Sequence, residues 1–260
     1  KPTGGIWRWV HGERAYVIGR VPTFLLDVVA PDEFYSVAEF QKRARNLINK
    51  IVAAGRLPII VGGTGLYVQA LLENYATPPV SPDFKLRKRL EKELALKGLA
   101  HLYKKLHGLD PATKVDCLNP RRVIRALEVC LLTGKPFSEM LQKGESLYDA
   151  LILGIGVLRK KLYERINSRV QKMLKHGLEK EVRRLSKKYK WTAPGMSGLG
   201  YQQFRPYFDE GEIDLARVVD NIQKGTRHYA KRQMTWFRKQ TGVRWIKNQR
   251  QAEKLVKKFL

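Results

Sequence analysis

Leu57-Pro58-Ile59-Ile60-Val61-Gly62-Gly63-Thr64-Gly65-Leu66-Tyr67 runs from an apolar segment into a glycine turn and on into a helical pattern. The order predicts a strand over Leu57 to Val61, a turn over Gly62-Gly63-Thr64-Gly65 and a helix from about Leu66. Glycines let backbone N–H groups approach a ligand closely, and a helix N-terminus adds unpaired donors and partial positive charge at the same point. Thr64 adds a hydroxyl. The four residues Gly62, Gly63, Thr64 and Gly65 therefore suit an anion, but a tight βα turn that needs glycine only for its dihedrals reads the same way.

Outward from this stretch, strands and helices alternate. Val21 to Val28 reads as a short buried strand. Ser36, with Glu39 three residues on, opens a helix whose apolar stripe runs from Val37 to Ile51 and stops at Gly55. Ala150 to Gly156 returns to strand pattern and is followed by a basic helix from about Lys160 to His176. In that helix Leu162, Ile166, Val170 and Met173 form the core stripe, while Arg165 and Arg169, one turn apart, share a flank from which two guanidiniums can clamp a diphosphate or pair with carboxylates. The alternation predicts an α/β fold with a mostly parallel sheet flanked by helices.

Residues 79–149 lack a central strand. After the Thr-Pro-Pro-Val-Ser-Pro connector, Leu86, Leu90 and Leu94 mark a helix closed by Gly98, and Asn119-Pro120 opens a second that ends at Gly134. A helical insertion is expected there, with residues 1–78 and 150–260 forming the core. Arg121, Arg122 and Arg125 crowd the first turns of the second helix, where cations oppose its dipole unless an anion compensates. Farther on, Gly195 to Gln202 reads as a loop with an exposed aromatic, Tyr201.

Thr226 to Arg238, T-R-H-Y-A-K-R-Q-M-T-W-F-R, sorts its side chains by face. Lys224, Arg227, Lys231, Thr235 and Arg238 share one stripe; Ala230, Met234 and Phe237 lie on the far side with Tyr229 and Trp236 beside them. One face packs and the other offers cations.

Fifty Lys and Arg against 24 Asp and Glu give a net charge of +26 over 260 residues. The last hundred residues hold 25 basic and 9 acidic side chains. A balance of this size favours a polyanionic partner by steering and phosphate neutralisation. No apolar run approaches the roughly 20 residues of a bilayer span, so a cytoplasmic protein without membrane contact is expected. Cys117 and Cys130 read as reduced thiols. The scattered histidines, His101, His107, His176 and His228 among them, show no zinc spacing, and no protein-built metal site is expected.

Four segments together are similar to one family, the tRNA dimethylallyltransferases or tRNA isopentenyltransferases: V-G-G-T-G-L-Y at Val61 to Tyr67, N-P-R-R-V-I-R-A-L-E-V at Asn119 to Val129, L-G-Y-Q at Leu199 to Gln202, and the Thr226 to Arg238 run. The resemblance covers Val21 to Trp245 in matching order. It implies a P-loop kinase-like core and a helical insertion that grips the anticodon stem-loop of tRNA. The implied reaction moves a dimethylallyl group from its diphosphate to N6 of the adenosine 3′ of the anticodon, with Mg2+ and loss of diphosphate. By resemblance, Thr64 and Arg169 lie near the diphosphate and are the catalytic candidates. Gly62, Gly63, Gly65 and Arg165 complete the diphosphate set. Arg87, Arg121, Arg122 and Arg125 touch the RNA, and Ser197, Gly198, Leu199, Gly200, Tyr201 and Gln202 form the loop near the target base. The cationic stripe adds Arg227, Lys231 and Arg238, and a monomer is expected.

The resemblance also implies parts not found in this sequence: a glycine-rich phosphate loop ending in Lys and Thr, and a D-S-R-Q-V-Y-like strand whose aspartate is the general base. Lys1-Pro2-Thr3 is similar to the segment just downstream of both, so a truncated product or fragment is expected, poorly soluble and lacking most diphosphate donors. The Val21 to Asp27 segment departs from the family's usual His-His. Gly4 to Arg20, with two tryptophans, is expected to be a loop or hairpin. A non-catalytic tRNA-binding relative and an adenylate prenyltransferase remain as alternatives.

Overall fold

The computed structural model describes residues 4–74, 78, 80–140, 144–211 and 213–260. The chain folds as two compact units, one made of the residues up to Gly65 with Ala150–Leu260, the other of Leu66–Asp149.

In the first unit β1 (Ile6–Val10), β2 (Glu13–Ile18) and β3 (Val21–Thr23) form an antiparallel meander. Val10 pairs with Glu13, so His11 (φ 52°) and Gly12 (φ 71°) form the two-residue turn, both left-handed, as a type I′ hairpin requires. The Gly4 to Arg20 segment is thus a hairpin. Helix α1 (Val37–Ala53) starts where its cap predicts: Ser36 Oγ accepts from Glu39 N at 3.1 Å. Strand β4 (Ile152–Ile155) pairs in parallel with β5 (Val243–Ile246), the crossover between them carrying α6 (Arg159–Lys175), α7 (Leu178–Lys188) and α8 (Leu215–Arg238); α9 (Gln249–Phe259) follows. Val170, Leu178, Val182, Met196, Phe204, Val218 and Ile222 form the core between these helices. The fold class is α/β, as expected.

Two expected strands are corrected. Only Val21–Thr23 of the Val21 to Val28 run is strand, because Leu25 (φ 60°) and Asp27 (φ 49°) are left-handed and cannot continue a ladder. Leu57 to Val61 forms no strand, and Ile59 and Val61 are 76% and 91% exposed. An apolar run becomes a strand only if a neighbour receives its N–H and C=O groups, and among the described residues no strand pairs with it.

Within the second unit, α2 (Gly65–Leu72), which begins at the last residue of the first unit, precedes α3 (Phe84–Leu109), α4 (Pro120–Thr133) and α5 (Phe137–Met140). Gly98 interrupts α3 with a left-handed, extended backbone (φ 79°, ψ 168°), so the expected stop is present but a second helical segment starts immediately after it. Asn119 caps α4, Pro120 occupies its first turn and Gly134 closes it at φ 68°. Leu86, Leu90, Leu102, Leu106, Val123, Leu127 and Cys130 pack between α3 and α4. Burial pushes the Cys130 thiol pKa up, while Cys117 is exposed; both are free.

Candidate active site

The Gly62–Gly65 turn is seated on α8. The Gly63 carbonyl accepts from Gln233 Nε2 at 2.8 Å and from the Tyr229 hydroxyl at 3.4 Å. A Cβ on Gly65 would lie 2.3 to 2.5 Å from three ring carbons of Trp236, and one on Gly63 would lie 1.9 Å from Gln233 Nε2. None of Gly62, Gly63 and Gly65 is left-handed. The dihedral explanation of these glycines is therefore corrected: the Trp236 ring excludes a side chain at Gly65, and one at Gly63 would have to push the Gln233 amide aside. Gly62 has no atom within 4 Å of its Cβ position, and Thr64 is exposed.

Tyr229, Gln233 and Trp236 follow i, i+4, i+7 spacing and share the face that meets the turn. Lys224, Lys231, Thr235 and Arg238 are all exposed, while Ala230 is buried. Arg227 belongs to the same stripe but is half-buried: its Nη1 donates to Asn167 Oδ1 at 2.9 Å and its guanidinium lies 5.9 Å from the Tyr163 ring centre. It fastens α8 to α6 and is not one of the freely offered cations.

On α6, Arg165 and Arg169 are exposed and line an open depression with Lys161, Glu164, Ser168 and Lys172. Neither arginine makes an ion pair among the described residues. Their fork geometry stays available to an anion, but no hydrogen bond joins either to Thr64 among the described residues.

In the insertion, Arg87 and Arg125 are already engaged. Glu128, wholly buried, accepts Arg87 Nε at 2.9 Å, Arg87 Nη2 at 2.8 Å, Arg125 Nη1 at 2.5 Å and Asp83 N at 2.7 Å. Arg125 Nη2 also donates to Val80 O at 3.0 Å. Burial raises the Glu128 pKa, but the hydrogen bonds from Arg87, Arg125 and Asp83 outweigh it and hold the carboxyl below its usual range. This pair of arginines belongs first to the fold of the insertion. Arg121 and Arg122 are exposed on the opening turn of α4 and are the cations it offers outward.

The Gly195 to Gln202 loop is built of short 3₁₀ turns and is tied down at several points. Gly195 N donates to Pro31 O at 2.8 Å, Ser197 Oγ to Pro194 O at 2.7 Å, and Gly200 N to Gln203 Oε1 at 2.7 Å. Gly200 is left-handed at φ 101°. Tyr201, expected as an exposed aromatic, is half-buried and its hydroxyl bonds the Glu181 carboxylate, with burial and Glu181 both raising its pKa. Gly198, Leu199 and Gln202 remain exposed.

Sequence reasoning assigned no role to Gln233, Tyr229, Glu128 or Glu181. Glu128 was findable: a carboxylate between Leu127 and Val129 on a helix otherwise filled with apolar side chains signals a buried pair. Among the described residues no group of three His, Cys, Asp or Glu could hold a metal; the turn and α6 present N–H, hydroxyl and guanidinium groups suited to a diphosphate, through which a magnesium ion would be held. No step is assigned to it.

A sequence model described as IPP transferase matches residues 15–240. The tRNA dimethylallyltransferase of Geobacillus kaustophilus is 44% identical over 231 residues, 87% of this chain and 73% of that protein. That of Acetivibrio thermocellus is 43% identical over 242 residues, covering 90% and 77%. Among solved structures, the full-length tRNA isopentenylpyrophosphate transferase of Bacillus halodurans superposes with a TM-score of 0.64 at 35% identity, over 92% of this chain and 77% of that one. A eukaryotic dimethylallyltransferase described as acting on tRNA gives 0.64 at 29% identity, over 80% and 54%. With the match spanning most of the sequence and the glycine turn seated on the cationic helix, the chain belongs to the IPP transferase family.

Proposed function

We propose that this protein transfers a dimethylallyl group from dimethylallyl diphosphate to N6 of the adenosine 3′-adjacent to the anticodon of tRNA, in the cytoplasm and as a monomer. The observation that carries the proposal is the seating of Gly62–Gly65 on α8, which joins an anion-ready turn to a helix whose other side offers Lys224, Lys231 and Arg238. In the reaction the adenine amine attacks C1 of the dimethylallyl group, the C1–O bond breaks with its electron pair leaving on diphosphate, and the proton lost by the amine passes to water. Charge develops on the leaving diphosphate, and donors aimed there are worth on the order of a hundredfold or more in rate. The Thr64 hydroxyl and N–H, with the guanidiniums of Arg165 and Arg169, supply such donors. Residues 79–149 act as the grip on the anticodon stem-loop, with Arg121 and Arg122 on phosphates.

Nucleoside mass spectrometry after incubation with dimethylallyl diphosphate, magnesium and unmodified tRNA tests this. Prenylated adenosine in the tRNA is expected. Prenylation of AMP but not tRNA would replace the reading with an adenylate prenyltransferase, which the number of exposed cations, Lys224, Lys231, Arg238, Arg121 and Arg122 among them, disfavours.

A further inference from the structure

We infer that Gln233, assisted by Tyr229, is a positioning residue that sets the direction of the Thr64 backbone N–H, and so makes the glycine turn a directed diphosphate donor. The inference rests on the transferase reading above for the identity of the ligand, but the positioning itself stands on geometry.

The Gly63 carbonyl and the Thr64 N–H belong to one peptide unit. In a trans peptide the C=O and N–H bonds lie in one plane and point in opposite directions. No cis peptide is present among the described residues. Gln233 Nε2 at 2.8 Å and the Tyr229 hydroxyl at 3.4 Å both hold the Gly63 oxygen on α8, so the Thr64 N–H is turned away from α8, on the side where Thr64 itself is exposed. A carbonyl has two lone-pair directions, and both donors come from one helix face one turn apart.

The glycines explain why this needs a tether. A turn with glycine at positions 62, 63 and 65 has a floppy backbone, and a free peptide plane there would rotate at little cost. Gln233 packs so close to Gly63 that a Cβ would collide with its amide, and Trp236 closes over Gly65 in the same way. The turn is thus locked by side chains of α8 and not by its own dihedrals. Lys231 and Arg238 sit exposed on another side of the same helix, so one rigid element carries both the tether and the cations.

The test compares Gln233→Met, which keeps length and bulk but loses the donor, with Tyr229→Phe and with Lys231→Met as a control on a different face. Hydrogen–deuterium exchange of the whole chain without ligand is the first readout. Faster exchange confined to residues 62–66 is expected in Gln233→Met, a smaller effect in Tyr229→Phe and none in Lys231→Met. In the transfer assay, Gln233→Met should lower kcat/KM for dimethylallyl diphosphate about five- to tenfold, the loss of one hydrogen bond, with KM for tRNA unchanged. Lys231→Met should do the reverse, raising KM for tRNA alone. Unchanged exchange at residues 62–66 in Gln233→Met overturns the inference, as does an unchanged kcat/KM for dimethylallyl diphosphate. Faster exchange in a chain whose parent transfers no dimethylallyl group would support the tether and overturn the transferase reading.

Discussion

Arg87 presents Nε and Nη2 as a two-pronged fork to Glu128 at 2.9 and 2.8 Å, and the carboxylate they meet is wholly withdrawn from solvent. Arg125 and the Asp83 N–H occupy the remaining lone pairs, so one side chain ties the start of α3 to the middle of α4. Removing one partner of a buried pair typically costs about 3–5 kcal/mol, because the other charge is left uncompensated. Both guanidiniums keep some solvent contact here, which places Glu128→Ala at the lower end of that range. Urea unfolding of the insertion should show a loss of about 3 kcal/mol; a loss under about 1 kcal/mol would remove Glu128 from its structural role.

The same carboxylate makes the insertion acid-sensitive. Its pKa in the folded state lies below the ordinary carboxylate value, so its stabilisation is complete above that value and is lost as pH falls through the folded pKa. Melting temperature should therefore hold steady from neutral pH down to about 5 and drop below about 4. Glu128→Gln, which cannot ionise, should begin less stable and show a shallower decline over that window.

Arg121 and Arg122 should behave unlike Arg87. Exposed and unpaired with Glu128, they can be removed with little change in stability, within about 0.5 kcal/mol each. Filter binding of tRNA across a salt series should show weaker affinity in Arg121→Ala/Arg122→Ala and a log–log slope shallower by about 2, one per lost phosphate contact. Arg87→Ala should instead lower the melting temperature before any change in slope is seen.

Tyr201 is held by its hydroxyl, so Tyr201→Phe should loosen the 195–202 loop without altering its aromatic surface. The bond to Glu181 joins a phenol to a carboxylate, and its loss should cost about 1–2 kcal/mol of stability. Glu181→Leu, which leaves no acceptor for the phenol, should show a similar change, and the double variant should cost little more than either single one, since both remove the same bond. Additive losses would mean that the two side chains act separately.

These relationships were legible in the sequence to different depths. Ser36 and Asn119 announced their helices because a cap is a local event: one side chain, one N–H, three residues apart. The glycine turn before α2 was legible for the same reason. Leu57 to Val61 was not, because strand formation depends on a neighbour that apolar content alone does not supply. Arg87 and Arg125 were read for RNA contact with no sign of their bond to Glu128, since that partner lies 41 residues away from one and three from the other, and burial of Glu128 is a tertiary fact. Gln233 sat in plain view within the cationic run, but nothing local shows that its amide reaches back 170 residues to Gly63.

The glycines of the turn should separate into two classes. Gly65 lies beneath the Trp236 ring, where a Cβ would meet ring carbons at 2.3 to 2.5 Å, and overpacking of that kind costs about 1–3 kcal/mol. Gly65 is also the first residue of α2, where alanine is the better helix former by up to about 1 kcal/mol, so a net loss in Gly65→Ala measures the collision against an opposing gain. Gly62 meets nothing within 4 Å and is not left-handed, so Gly62→Ala should leave stability within about 0.5 kcal/mol of the parent. If Gly62 is glycine for the sake of ligand approach, that same variant should weaken diphosphate binding by about tenfold while melting normally. Pairing Gly65→Ala with Trp236→Leu opens the space that the new methyl needs, and the two changes should then be strongly non-additive in denaturation. Simple additivity would show that Trp236 does not set the requirement for glycine at position 65, and would return that residue to the diphosphate alone.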